Sequence, residues 1–221
     1  MNRDNQELRD LILLATLPHV VFEGWTKAAM GAGIKDLNDL SGGEAEGAFS
    51  GMSDLAQHFS DWADRRMVAE MAKIDMASLK IRQRIAAGVR SRLQVLTPHR
   101  EAVRRALTYM ALPHHAGLSL TCTYNTVSEI WYGTGDESAD FSFYSKRALL
   151  APVLASTTLY WLADEGDDAG DFPETWDFLD RRIGEVVKLI QARVRLSKRL
   201  GEMPSPLTFC KRFASAVGAK R

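Results

Sequence analysis

The 221-residue chain has two cysteines, five histidines and no apolar run long enough for a bilayer. A spanning helix needs roughly 18 consecutive apolar residues, so no helical membrane span is expected. Cys122 and Cys210 lie in apolar contexts and make no disulfide framework, which points to a reduced compartment. Neither sign of charge is in excess: 28 basic residues stand against 28 acidic ones, so net charge gives no argument for nucleic acid. Metal-ligand spacing is missing as well. No glutamate has a histidine three residues on, so the inward-facing E-x-x-H pairs of a di-iron bundle are absent. His114 and His115 follow Pro113, where capping and packing account for them. Gly133 and Gly135 lack the third glycine and the preceding strand of a dinucleotide fingerprint, and neither a P-loop nor a nucleophile elbow occurs. No catalytic residue, metal site or cofactor is expected. The start, MNRDNQELRD, has no apolar signal core and carries acids that argue against a mitochondrial presequence, so the expected location is cytoplasmic.

What is present is helix. Nearly every segment has helical period and none sustains strand alternation. Leu8, Leu11, Ile12 and Ala15 begin a first helix. Thr26 caps a short second one, TKAAMGAG, whose glycines stop it. SGGEAEGAF at 41–49 suggests a third, and Met52, Leu55, Phe59, Trp62, Met67 and Met71 a long fourth. A fifth runs from Leu79 to Leu96, a sixth opens at Pro98, and a seventh spans about His114 to Trp131. Trp176, Leu179, Ile183, Val186, Ile190 and Val194 make one stripe on a ninth. The expected fold is all-α, nine helices plus a C-terminal amphipathic helix. The expected divisions are a degenerate helix-turn-helix-like module at 1–75, a helical lipid-binding domain at 76–200 and an amphipathic membrane-binding segment at 201–221.

Between the seventh and ninth helices lies the most unusual stretch, residues 131–162. Ser138 reads as its N-cap, with Asp140 in the first turn, where the helix dipole favours an acid. One face carries Asp140, Phe143, Tyr144, Arg147, Leu150, Leu154, Thr157 and Trp161. A second carries Phe141, Ala148, Ala151, Ala155, Leu159 and Leu162. A helix apolar on two sides is either buried or presents an apolar surface. Pro152 removes one backbone hydrogen bond and should bend it. With the seventh helix it is expected to wall an elongated pocket lined by Leu120, Tyr124, Val127, Trp131, Leu150, Leu154 and Trp161. At its start, Asp140, Phe143, Tyr144 and Arg147 project from one side, a combination that protein interfaces enrich. An internal Asp140–Arg147 tether with packed aromatics is the alternative.

Charge is distributed in blocks. Residues 23–75 hold ten acids against five bases, and 78–108 hold eight bases against one acid. Residues 136–177 return to ten acids against two bases, and 181–221 end at eleven bases against two acids. Such blocks mean solvated faces or internal complementarity, and a basic terminus also suits anionic lipid. After Pro204 and Pro206, Phe209, Phe213 and Val217 share one arc of a short helix, with Lys211 and Arg212 opposite. That pattern lies in a bilayer interface, or docks onto its own domain or a twin subunit.

Two resemblances emerge. The N-terminal order of one long helix, two short ones and another long one resembles the module of TetR-type repressors. A recognition helix there would need bases and amides, yet residues 41–49 carry Glu44, Glu46, three glycines and no base. DNA binding is not expected, and a TetR-type regulator sensing an apolar effector is the alternative reading. The second resemblance is longer. GDESADFSFYSKRALL, with IWY before it and DFPETWDFLDRRI after it, resembles the signature of ubiquinone-biosynthesis accessory proteins, the ninth member of the Coq series. LTYMALPHH, FEGWTKAAM and MSDLAQHFSDWADRRM extend it over nearly the whole chain. Phe143 stands where that family has tryptophan. The resemblance implies a bacterial-type member without a presequence, peripheral to the inner membrane, that binds an isoprenoid lipid or phospholipid. It implies presentation of quinone intermediates to the demethoxyubiquinone hydroxylase through the start of the eighth helix, and a homodimer. Arg147 then stands at the pocket mouth, where it can grip a lipid phosphate or a quinone-head oxygen.

Overall fold

The computed structural model describes residues 3–37, 47–135 and 141–201, with side chains over 5–37, 47–135 and 146–188. Every regular element among them is helical: α1 Arg3–Glu23, α2 Lys27–Asp36, α3 Met52–Met71, α4 Ile81–Leu96, α5 Arg100–Met110, α6 Ala116–Gly133, α7 Phe141–Ala163 and α8 Pro173–Gly201. Short 3-10 turns at Met76–Ser78, Thr97–His99 and Pro113–His115 link α3 through α6. The expected third helix, the Ser138 cap, Asp140 and the segment after Gly201 lie outside the described residues.

The first helix turns inward a face that shares only Ile12 with the expected stripe of Leu8, Leu11, Ile12 and Ala15. Ile12, Leu13, Thr16, Leu17 and Val20 are buried, while Leu11 is exposed. Thr16 Oγ1 donates to the Ile12 carbonyl at 2.7 Å, which satisfies a hydroxyl on the core stripe. Gly24, at a φ of +68°, closes the helix by donating its N–H to the Val20 carbonyl at 2.9 Å.

Thr26 caps α2 as its sequence predicts, accepting from the Ala29 amide at 3.2 Å. The glycines of TKAAMGAG do not stop that helix, which continues to Asp36. Gly33 is there for another reason. A Cβ on it would stand 2.7 Å from the Thr16 Cα and backbone nitrogen, so α1 and α2 meet backbone to backbone.

The third helix is the most densely buried element. Leu55, Ala56, Phe59, Trp62, Ala63, Met67 and Met71 face the core, together with His58, Ser60 and Asp64. Trp25, Phe59 and Trp62 form an aromatic ladder with centroids 5.4 and 6.2 Å apart. The helix expected as the eighth, α7, runs unbroken through Pro152. Its C-terminal carbonyls are capped from α5: Arg100 Nη2 reaches the Trp161 carbonyl and, at 2.6 Å, that of Asp164, while Arg104 Nη2 reaches Leu162 at 2.7 Å.

By compactness the chain divides after Asp180. The first unit holds everything above and the first turns of α8, where Phe178 stacks on Tyr160 at 4.4 Å. In the second, residues 181–201 continue as helix with an exposed Arg182–Glu185 pair.

Replacing Gly33 with alanine forces the α1–α2 backbones apart, because the obstructing atoms are main chain. An overpacking cost of about 1–3 kcal/mol is expected, read as a lower urea midpoint at unchanged slope.

Candidate functional site

Two cavities lie side by side in the first unit. An apolar one, of about 260 Å³, is bounded by Phe59 and Ala63 of α3, Leu96 of α4, Val103, Ala106, Leu107 and Met110 of α5, Cys122 of α6 and Leu154, Ala155 and Leu159 of α7. Its polar lining is Ser60, Arg92, Ser119, Thr123, Thr126 and Thr158. The second cavity, of about 580 Å³, opens between α3 and α6 and is lined by Asp61, Asp64, Arg65, Val68, Tyr124, Asn125, Ser128, Glu129 and Tyr132.

The seven apolar positions expected to share one wall do not all meet. Leu154 lines the apolar cavity and Tyr124 the polar one. Val127, Trp131, Leu150 and Trp161 are core residues that line neither, and Leu120 is 72% exposed. The reason is rotational. The two faces of α7 separate, with Leu150, Val153, Leu154, Thr157 and Trp161 turned inward and Leu159 61% exposed. Leu120, Leu159 and the 45%-exposed Tyr124 are therefore surface apolar residues on α6 and α7.

Arg147 is buried, donating from Nε to Ser128 Oγ at 2.8 Å with its guanidinium 5.2 Å from the centre of the Tyr132 ring. It supports the first turns of α7 from within rather than standing at the mouth of the apolar cavity. Lys146 lies over Trp131 at 5.5 Å. The side chains of Phe143 and Tyr144 lie outside the described residues, as do Asp140, Phe209, Lys211, Arg212, Phe213 and Val217.

Sequence reasoning missed the group between the cavities. Asp64 pairs with Arg92 and accepts from Thr126 Oγ1 at 3.0 Å, while Arg92 Nη2 donates to Ser60 Oγ at 3.1 Å. Burial pushes the Asp64 carboxyl up to about 6 against the pull of Arg92 and Thr126, and Asp61 and Glu129 push the same way. Burial likewise raises Asp61 and the Cys122 thiol. The local signal was weak: Asp64 precedes Met67 by three residues and Val68 by four, but follows Ser60 by four and Asp61 by three, so its side of α3 is polar toward the N-terminus and apolar toward the C-terminus. An acid buried there requires a partner.

Ion pairs also tie α1 to α3. Asp10 Oδ1 takes His58 Nε2 at 2.7 Å and Arg65 Nη2 at 2.6 Å, and Arg9 pairs with Asp54. Burial holds His58 below the ordinary histidine range although Asp10 opposes it. In the acidic loop Asp164 accepts from Thr175 and Gly166, and Asp171 from Trp176 Nε1 and Arg90. Those carboxylates serve the fold. Among the described residues no cluster of His, Cys, Asp or Glu could hold a metal ion, and no helix is long and apolar enough to cross a membrane.

The profile of the family described as COQ9 matches residues 116–190. The chain is 31% identical over 191 residues to the human ubiquinone biosynthesis protein COQ9, mitochondrial, covering 83% of this chain and 59% of that one. Its likeness to the Drosophila melanogaster protein of the same name is 32% over 189 residues, covering 82% and 56%. The chain thus spans about three fifths of the length of these relatives. Among solved structures, a TetR transcriptional regulator from Nitrosomonas europaea superposes with a TM-score of 0.65 at 20% identity, covering 82% of this chain and 98% of that one. The fold is therefore all-α and TetR-like, and at that identity the likeness carries the fold alone.

Replacing Arg92 with leucine strands Asp64 in the core and is expected to cost about 3–5 kcal/mol near neutrality. The sign of its pH dependence follows from the raised pKa of Asp64. A carboxyl raised in the folded state contributes stability below its unfolded value that is lost as pH rises through about 6. The leucine variant should therefore lose less at about pH 5 than at about pH 7, measured by urea unfolding at both.

Proposed function

The chain belongs to the COQ9 family of ubiquinone biosynthesis proteins, and from that premise we propose that it is a lipid-binding accessory protein rather than an enzyme. Its ligand is an isoprenoid quinone intermediate, and its task is to present that lipid to the demethoxyubiquinone hydroxylase. The observation that carries this reading is the apolar cavity among α3 to α7. A polyprenyl tail is too insoluble to cross water unaided, so a carrier needs an apolar recess and a means of touching the bilayer. Each methylene buried contributes about 0.8 kcal/mol, so a long tail binds with few polar contacts. The apolar surface formed by Leu120, Tyr124 and Leu159 on α6 and α7 supports a further role in meeting a partner, either a second copy or the hydroxylase. The start of α7, with Asp140, Phe143 and Tyr144, is assigned to the hydroxylase, and buried Arg147 braces it. Residues 207–219 are assigned to the membrane surface, which makes the protein peripheral to the inner membrane.

Replacing Leu154 with glutamine places an amide in the apolar cavity. The lipid recovered by organic extraction and mass spectrometry should fall severalfold while the helical circular-dichroism signal is unchanged. Undiminished lipid would remove this cavity as the site.

A chain ending at Pro206 should remain folded and fail to sediment with anionic liposomes. Basic residues near such a surface contribute about 1 kcal/mol each, so binding of the full chain should weaken with salt. Equal sedimentation of both chains would refute the membrane assignment.

The single change Tyr144→Ala should abolish co-purification with the hydroxylase at unchanged melting temperature. Arg147→Glu, by contrast, should unfold the start of α7, because it puts an acid at a buried position.

A further inference from the structure

One buried ion pair stands in the wall between the two cavities. Asp64 lines the polar cavity, whereas Arg92, Ser60 and Thr126 line the apolar one. The paired side chains are 6% and 12% exposed, and Thr126 and Ser60 complete their hydrogen bonding. Arg92 therefore lines the apolar cavity with its charge cancelled by a nearly buried carboxylate, whose residue borders the other cavity. In a water-poor recess an uncancelled cation attracts an anionic group strongly, while a cancelled one offers hydrogen bonds and little net charge.

We propose that the Asp64–Arg92 pair sets which class of amphiphile the apolar cavity accepts. With Asp64 ionised the cavity takes uncharged amphiphiles. With Asp64 protonated from the polar cavity, Arg92 presents a full positive charge and the cavity takes amphiphiles with an anionic head. This rests on the apolar cavity being the lipid site.

The groups around Asp64 set where the change falls. On its own helix Asp61 opposes ionisation, and Arg65 lines the same cavity. From α4 Arg92 favours ionisation; from α6 Thr126 favours it, Glu129 opposes it, and Cys122 lies nearby with its thiol kept protonated by burial. From α7, Arg147 borders this cavity through Ser128 and Tyr132. Burial outweighs the favourable partners, and Asp64 titrates near 6. A surface potential of about −30 mV concentrates protons at an anionic leaflet by about half a pH unit, so the same pair reports arrival at a membrane.

The test uses the delipidated full chain and two fluorescent probes of similar shape. Anilinonaphthalene sulfonate carries a permanent negative charge, and phenylnaphthylamine carries none. Between about pH 7.5 and about pH 5.5 the protonated fraction of a group titrating near 6 rises about twentyfold, and the sulfonate affinity should rise with it. The uncharged probe should bind equally at both. Asp64→Asn should bind the sulfonate at the low-pH affinity throughout, with near-ultraviolet circular dichroism reporting its fold. Should that variant not fold, Thr126→Val removes one bond that favours the ionised carboxyl and should move the wild-type midpoint to higher pH. A flat sulfonate response in the wild type, a response retained in Asp64→Asn, or an unmoved midpoint in Thr126→Val overturns the proposal. If Leu154→Gln displaces neither probe, the lipid-cavity reading itself fails and this one falls with it.

Discussion

Burying a carboxylate and a guanidinium together binds α3, α4 and α6 to one another more strictly than apolar packing does. Apolar side chains tolerate small slips of one helix along another, because the dispersion attraction given up on one side is regained on the other. The Asp64–Arg92 pair does not tolerate them. Separating its members leaves charges in a medium that cannot solvate them, and Thr126 and Ser60 fill the remaining bonding positions. The two cavities exist on either side of that constraint, since α3 and α6 are held at a fixed spacing while α5 and α7 close over the apolar side.

The same logic explains the charge blocks. The basic block at 78–108 is only partly a solvated face: Lys80, Arg82 and Arg105 are exposed, but Arg90 meets Asp171, Arg92 meets Asp64, and Arg100 and Arg104 reach carbonyls at the end of α7. Arg100 also lies over the rings of Trp161 and Phe172, 5.1 and 4.7 Å from their centres. Arginine suits this work because its planar fork serves two acceptors while its face stacks on aromatic carbon. The acidic loop after α7 is likewise folded on itself, with Asp164 and Asp171 held below the ordinary carboxylate range. At Asp164 burial opposes this and the bonds from Thr175 and Gly166 outweigh it; at Asp171 the bond from Trp176 leads.

In the proposed lipid-carrying role, the recess and the exposed apolar residues have separate tasks. Phe59, Val103, Ala106 and Leu154 line the recess, whereas Leu120 and Tyr124 are exposed on α6 and do not line it. Leu159 borders the recess and is itself largely exposed, so on α7 the recess reaches the surface proposed to meet a partner. In the proposed role, transfer to a partner there would require no passage of the tail through water.

Helical period, the Thr26 cap and the order of long and short helices were legible in the sequence because each is set by residues within a few positions of one another. The family was legible for the same reason, in one unbroken motif. The inner face of α1 was not, because Leu11 and Ile12 differ little in hydropathy, and only the position of α2 decides which turns inward. Gly33 looked like a helix stop, since a glycine's need for close approach to Thr16, seventeen positions away, leaves no local trace. The two apolar faces of α7 were visible, but that Leu154 of one and Ala155 and Leu159 of the other border the same recess depended on how α5 and α6 pack against it. Asp64 shares its side of α3 with Ser60 and Asp61 as well as Met67, so its burial left little local trace. That its partner is Arg92, and that the pair divides two cavities, was decided by tertiary packing alone, because the energy of a buried charge depends on what lies around it in space.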